Sequence, residues 1–497
     1  MTHPRAWRGI GDPAHLFLAL WRYLNAMERE RLSSAVDVPP TLSTALAAAL
    51  AIGDAAKCIE AFCDALEGHW DESTHWRARR ERASVALTAM RAIDEVMLAV
   101  HPRTIVPTIR LKPLPVWLDD VRERRTIYGT FASDAQLSLI ARGPFARSPK
   151  LPFEESTFVL GDQFAALKVI DLSAFIEDGR QLQMSIKVVD QSADRGVPHR
   201  SDRAASEVVS FVPLAEVGGD LVASVTTDGA TTFIDVLKGA AFDAAKRFLN
   251  AVHDCADSDI FVAPELTVDA ADITRIAAGL SAMSGSRPRL LVSGSGLVPG
   301  NPAKGGQPFN QATMLNGNGA TLWQHQKVSA YAMLEETSKG LKIDGAEGMV
   351  RLMERISWSS SITVADLDGL GRCIVLICQD MMMGVVHRLL DEFRPDWLIV
   401  PILDTGTSLQ RWPARRAREL APTSEARFVV VSSLTMKEWQ VDKYPGEEMG
   451  VAIGPTYTNR SDPDEPPALQ IEVAPESSSR RHGSVRWRAV HGWQKYR

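Results

Sequence analysis

Ile374-Val-Leu-Ile-Cys378-Gln-Asp380 is the stretch on which the fold turns: an apolar, partly β-branched run ends on a thiol, and a helical pattern resumes after Met383. A short apolar run between polar flanks, followed by a helix, reads as a buried strand in a helix-covered sheet. Its neighbours repeat the pattern. Strands are expected at Ile362–Asp366 and Cys373–Ile377 before the thiol, and at Trp397–Val400 and Arg427–Ser432 after it, with a helix around Arg411–Leu420 between the last two. Alternating strands and helices imply a layered α/β domain.

Working upstream, Arg289–Ser293 and Ile260–Ala263 read as strands separated by a helix, Ala270–Met283. Phe309–Leu315 and Ala320–Gln326 flank Asn316-Gly-Asn-Gly319, a turn sequence that favours a hairpin. Thr232–Ala256 reads as an amphipathic helix with Ile234, Leu237, Ala241, Ala245, Phe248 and Val252 along one face, preceded by a strand over Val208–Val217.

Three strand ends in this domain finish on a reactive side chain. Phe261-Val-Ala-Pro-Glu265 presents a carboxylate, Trp323-Gln-His-Gln-Lys327 an ammonium, and the opening stretch the thiol of Cys378. In this order the three ends resemble the Glu–Lys–Cys triad of the nitrilase (carbon–nitrogen hydrolase) superfamily. Val292-Ser-Gly-Ser295, Phe309-Asn310-Gln-Ala and Asn316-Gly-Asn-Gly319 resemble the family's stretch between Glu and Lys, and Trp397-Leu-Ile-Val-Pro401 its strand after the Cys helix. The resemblance covers roughly residues 205–460 and implies an α-β-β-α sandwich that pairs into a homodimer or larger homo-oligomer.

The chemistry follows from the residue types. A free thiol is only a few per cent thiolate at neutral pH, a neighbouring ammonium lowers its pKa, and a carboxylate can take its proton. Cys378 is therefore expected to attack an amide carbon with Glu265 as general base, while Lys327 and the backbone N–H of Gln379 stabilise the oxyanion. Small-molecule amides and water are the expected substrates, with no metal or organic cofactor. The resemblance also implies a second glutamate that holds the lysine; Glu354, 24 residues before the thiol, is the choice, with Glu335 and Glu336 left open. Asp380 is expected to be a structural anchor. After the thiol, Gln379-Asp-Met-Met-Met383-Gly departs from the family's usual aromatic, Asp, Arg, Phe, Pro, Glu run, and Met381, Met382 and Met383 are placed with Asn310 at the substrate pocket.

The first two hundred residues match nothing in that family. Residues 1–102 read as a helical domain, with helices from Pro13, over Thr41–Leu66 and over Glu72–Val100. Residues 103–204 read as a β-containing adaptor, with extended runs at Thr104–Ile109, Ser156–Leu160, Ala165–Asp171 and Gln183–Val189, closing in a polar linker over Gln191–Ala205. The catalytic domain spans 205–470. The basic tail, 471–497, alternates Val485, Trp487 and Ala489 as a strand does, a candidate for pairing across a subunit interface. A second reading, a ligand-sensing module that engages a protein partner through its N-terminal half, rests on that long extension.

The 497 residues are 45% apolar and 23% charged with a net charge of −6, which excludes disordered and fibrous classes and argues against wrapping nucleic acid. The N-terminus leads into no signal-peptide core and no apolar run reaches bilayer length, so a cytoplasmic protein without membrane spans is expected. Five cysteines without a C-x-x-C pair are read as thiols.

Overall fold

The computed structural model describes residues 3–27, 39–102, 114–143, 159–189, 206–300, 306–343, 345–346, 349, 351–367, 369–424, 426–440, 447–455, 468–477, 481–488 and 491–496. The expected strand at 104–109, most of that at 156–160 and the linker at 191–205 lie outside them. The chain divides into two compact units: residues 1–174 with 186–188, and residues 175–185 with 189–497.

Among its described residues the first unit holds the helices α1 (Pro13–Asn25), α2 (Pro40–Leu50), α3 (Ala55–Glu67), α4 (Trp76–Met97) and α5 (Val116–Tyr128). Asp12 caps α1 by accepting from the N–H groups of Ala14 and His15, ahead of Pro13 at the first helical position. One apolar core runs through all five helices, with Phe17, Leu46, Phe62, Met90 and Trp117 buried in it. A three-stranded sheet follows, β1 (Ala132–Ser133), β2 (Leu137–Ala141) and β3 (Leu167–Asp171). Asp94 on α4 accepts from the N–H groups of Ala165, Ala166 and Leu167 and so ties the entry of β3 to the helices.

The second unit opens with a small ribbon, β4 (Ile176–Glu177) and β5 (Arg180–Gln181); of β6 (Gln183–Val189), residues 183–185 and 189 fall in this unit, and the Gln183 N–H donates to the carbonyl of Ser360. The adaptor read as ending at residue 204 thus gives residues 175–185 to this unit. Further strands are β7 (Ser206–Phe211), β8 (Leu221–Asp228), β9 (Thr231–Lys238), β10 (Ile260–Val262), β11 (Leu290–Val298), β12 (Phe309–Leu315), β13 (Thr321–Gln326), β14 (Ala332–Leu334), β15 (Arg351–Glu354), β16 (Ser361–Leu367), β17 (Gly371–Val375), β18 (Trp397–Pro401), β19 (Arg427–Val431), β20 (Gly450–Pro455), β21 (Ala468–Val473), β22 (Gly483–Arg488) and β23 (Gly492–Tyr496).

Two seven-stranded sheets form the body, in the orders β13-β12-β11-β10-β7-β22-β23 and β21-β20-β19-β18-β17-β16-β6. They face one another: Trp397 of β18 meets Trp493 of β23 at 6.2 Å between ring centroids. The Arg427 guanidinium lies between Trp397 and Trp487 at 3.6 and 4.4 Å, and is paired with Glu207 at 2.8 Å. Helices α6 (Ala244–Asp254) and α7 (Ala270–Ala282) cover the outside of the first sheet, Phe248 packing on Phe261. Helix α8 (Glu335–Lys339) follows β14, α9 (Val385–Phe393) and α10 (Trp412–Ser424) cover the second sheet, and α11 (Thr435–Trp439) is a short turn. The layers run helix, sheet, sheet, helix, with a small sheet β14-β15-β9-β8 beside them.

Three expectations are corrected. The helix read over 232–256 is two elements, since Thr231–Lys238 is a strand paired with β8 and only Ala244–Asp254 is helical. The β-branched Thr-Thr-Phe-Ile-Asp-Val run prefers the pleat, and Gly239 sits so close to the Gly219 carbonyl that no Cβ fits there. The tail does not stand apart or await a second subunit: β22 pairs antiparallel with β7 of its own chain, Val485 opposite Val209. The strand expected over 208–217 ends at Phe211.

Candidate active site

The three reactive strand ends converge. β10 stops at Val262, and Pro264 and Glu265 follow. Gly294 of β11, at a φ of 78°, comes so close to the Pro264 carbonyl that a Cβ would collide with it. Ser295 braces the same turn from β11, its N–H donating to Pro264 O at 3.1 Å and its Oγ accepting from Leu266 N–H at 3.2 Å. The Gly294-Ser-Gly296 sequence is thus part of a bulged strand that backs the general-base candidate. Lys327 lies one residue beyond β13, and its N–H donates to the Asn310 carbonyl at 2.8 Å.

Cys378 follows β17 and opens a 3₁₀ turn, Cys378–Met382. Its φ of 47° is left-handed, a conformation that costs a non-glycine residue on the order of 1–3 kcal/mol and recurs at functional sites.

Glu265 is the hub. Its Oε1 accepts from Lys327 Nζ at 2.8 Å and from Asn310 Nδ2 at 2.9 Å, and its Oε2 accepts from the Leu403 N–H at 2.9 Å. Cys378 lines the same cavity as this carboxyl. Lys327 also donates to Glu354 Oε2 at 2.6 Å, and Asn310 Nδ2 reaches Glu354 Oε1 at 3.0 Å. Lys327 and Asn310 therefore each bridge both carboxylates. Glu354 is held in turn by the N–H of Tyr331. Glu335 pairs instead with Lys339 on α8, at 2.8 Å.

Glu265 and Lys327 are 2% and 1% exposed, and this burial sets their protonation. Burial pushes Glu265 up, with Lys327 pulling against it and Glu354 adding to the rise. For Lys327, burial disfavours the charge, but Glu265 and Glu354 outweigh it and hold the ammonium well above the ordinary lysine range. Burial and then the Glu265 charge push the Cys378 thiol well above its usual value, against the pull of Lys327. The lysine does lower the thiol pKa, as expected, but it loses to the other two.

Asp380 is fully buried and accepts from the N–H groups of Val328 and Ser329, from that of Ile377, and faces His325 Nε2. His325 was not singled out from the sequence, although it stands two residues before Lys327 on a strand and so shares its face. Gln379 is the second residue of the turn that Cys378 opens.

Glu265, Lys327, Glu354 and Cys378 line one cavity of about 120 Å³. Asn310 is not on its wall; it is wholly buried behind the carboxylates, where it positions them. The three methionines are not on the wall either. The tight turn after Cys378 swings them away, burying Met381 and Met383 and leaving Met382 43% exposed, while Arg416 of α10 covers the Met381 carbonyl. The walls come from β9, from the segment between β13 and β15, from the loop after β18 and from α11.

About half of the chain is similar to structures of nitrilase-superfamily proteins. Saccharomyces cerevisiae Nit3, a member of branch 10 of that superfamily, is 13% identical with a TM-score of 0.35, over 50% of this chain and 83% of that one. An amidase variant from Nesterenkonia sp. AN1, with the acetamide moiety of fluoroacetamide on its active-site cysteine, is 14% identical with a TM-score of 0.33, over 52% and 85%. The C. elegans NitFhit protein is 13% identical with a TM-score of 0.34, over 50% and 56%. No family model and no curated protein matches the sequence. Among the described residues no helix is long and apolar enough to cross a membrane.

Proposed function

We propose that the second unit is a cysteine-dependent hydrolase of a carbon–nitrogen bond outside peptides, of amide or carbamoyl-amide type. One observation carries the reading: the ammonium of Lys327 is hydrogen-bonded to the carboxylate of Glu265, and Cys378 stands on the wall of the same cavity as both. Glu265 takes the thiol proton as sulfur attacks the carbonyl carbon. Lys327 and the Gln379 N–H face the oxygen that gains charge, a stabilisation on the order of 3 kcal/mol per donor. The proton on Glu265 passes to the leaving nitrogen, the C–N bond breaks, and ammonia or an amine departs from a thioester. Water, deprotonated by Glu265, then attacks the thioester, and the acid leaves as the thiol is restored.

Ammonia release from a panel of primary amides tests this. Turnover is expected in the wild-type chain and none above background in Cys378→Ala; unchanged turnover in that variant would overturn the reading. The first unit has a core of its own, which favours a separate role for it. We assign it to a protein partner, to be sought by co-purification with the full chain.

A further inference from the structure

On the reading that Cys378 attacks an amide carbonyl, we propose that the cavity takes the amide of a neutral, apolar acid with an acyl chain longer than acetyl. Leu266, Leu297, Met333, Ile343, Met436 and Trp439 stand on its wall. These side chains come from five separate segments, so the apolar surface surrounds the space rather than forming one stripe.

The charged side chains of the wall are paired guanidinium to carboxylate, with Arg355 Nε and Arg411 Nε left without a hydrogen-bond partner. Apart from the catalytic groups, the charged residues on it are Asp235, Arg355, Asp404 and Arg411. Arg355 is paired with Asp235 at 3.2 Å and stacked on Phe233, with its guanidinium 5.1 Å from the ring centroid. Arg411 is paired with Asp404 at 2.8 Å, and the Asp404 carboxylate also accepts from Trp412 Nε1 and the Gly406 N–H. An ammonium on the far end of the acyl group would meet two guanidiniums, and a carboxylate would compete with Asp235 and Asp404, which already neutralise them. An apolar chain has no such cost. It gains by displacing water from the aliphatic and aromatic wall, by about fourfold in affinity for each methylene that is buried.

The test uses the full-length chain with acetamide, butanamide, hexanamide and succinamate, reading kcat/KM by ammonia release. A parallel measurement reads protection of Cys378 from iodoacetamide by acetate, hexanoate and succinate. Expected are a rise of at least tenfold in kcat/KM from acetamide to hexanamide, succinamate below butanamide, and protection by hexanoate at the lowest concentration. A flat or falling series, or succinamate as the best substrate, overturns the proposal. If no amide is turned over, protection decides: hexanoate protecting best upholds the apolar site while the hydrolase reading falls, and equal or stronger protection by succinate removes the apolar site as well.

Discussion

His325 and Asp380 meet at 3.1 Å, Nε2 to Oδ2, with side chains 1% and 0% exposed. One carboxylate thereby holds three parts of the site: the strand that delivers Lys327, the two residues after the lysine, and the residue before the nucleophile. Replacing Asp380 by Ala leaves the donors of Val328, Ser329, Ile377 and His325 without their acceptor. A loss of about 3–5 kcal/mol is expected, with turnover falling in the fraction that folds. Asp380→Asn, which still accepts the Val328 and Ser329 bonds, is expected to be milder. Thermal melting and kcat on the same preparations check both.

Glu265→Gln separates charge from proton transfer. Its negative charge raises the Cys378 pKa, so its removal, with Lys327 still present, lets the thiolate form at lower pH than in the wild type. Turnover moves the other way, falling by about 10²–10⁴ through loss of the base. Ultraviolet titration of the thiolate, beside the ammonia assay, is the check; a thiolate forming at higher pH in the variant would contradict the charge assignment.

Glu354→Gln shifts the acid limb of kcat/KM downward. Activity requires ionised Glu265, whose pKa is raised first by burial and further by the charge of Glu354, with Lys327 opposing. Removing the Glu354 charge lowers the Glu265 pKa, so the rise of activity with pH begins earlier. Lys327→Met removes the shared cation and leaves two buried carboxylates facing each other, an expected loss of about 3–5 kcal/mol seen in denaturant midpoints.

Asp12 gives the first unit an acid-sensitive lock. Burial works to raise its pKa, but hydrogen bonds from His15 and Arg124 overcome this and bring it down to about 2. Because the folded value lies below the unfolded one, the stabilisation is present above about pH 4 and is lost as pH falls toward 2. At neutral pH it amounts to about 2 kcal/mol. Asp12→Asn is expected to lose that amount and to flatten the acid dependence, read from helical circular dichroism between pH 2 and 5.

The site's reactive residues were legible because each ends a short apolar strand, where backbone pairing fixes position and the side chain emerges at the sheet's edge. The wall was not legible. Ile234, Leu297, Ile343 and Met436 are far apart in sequence, and nothing local marks them as neighbours. Met381 to Met383 misled for a related reason: proximity to Cys378 in sequence does not survive a 3₁₀ turn that rotates each side chain by a third of a circle. Asn310 and His325 are polar residues on strands whose roles depend on partners 44–55 residues distant. The helix expected over 232–256 arose because Ile234, Leu237, Ala241 and Ala245 fall by chance on a helical period that crosses a strand end at Lys238.

The pairing of Val209 with Val485 joins two strands separated by most of the second unit. During synthesis β7 leaves the ribosome long before β22 does, and until residues 483–488 arrive one of its edges is an open template. Any product that stops short of Gly483 keeps that edge bare, with Arg427 deprived of the indole of Trp487. Tags or fusions at the C-terminal side therefore act on the last step of assembly, and premature termination there yields a sticky chain rather than a slightly shortened one.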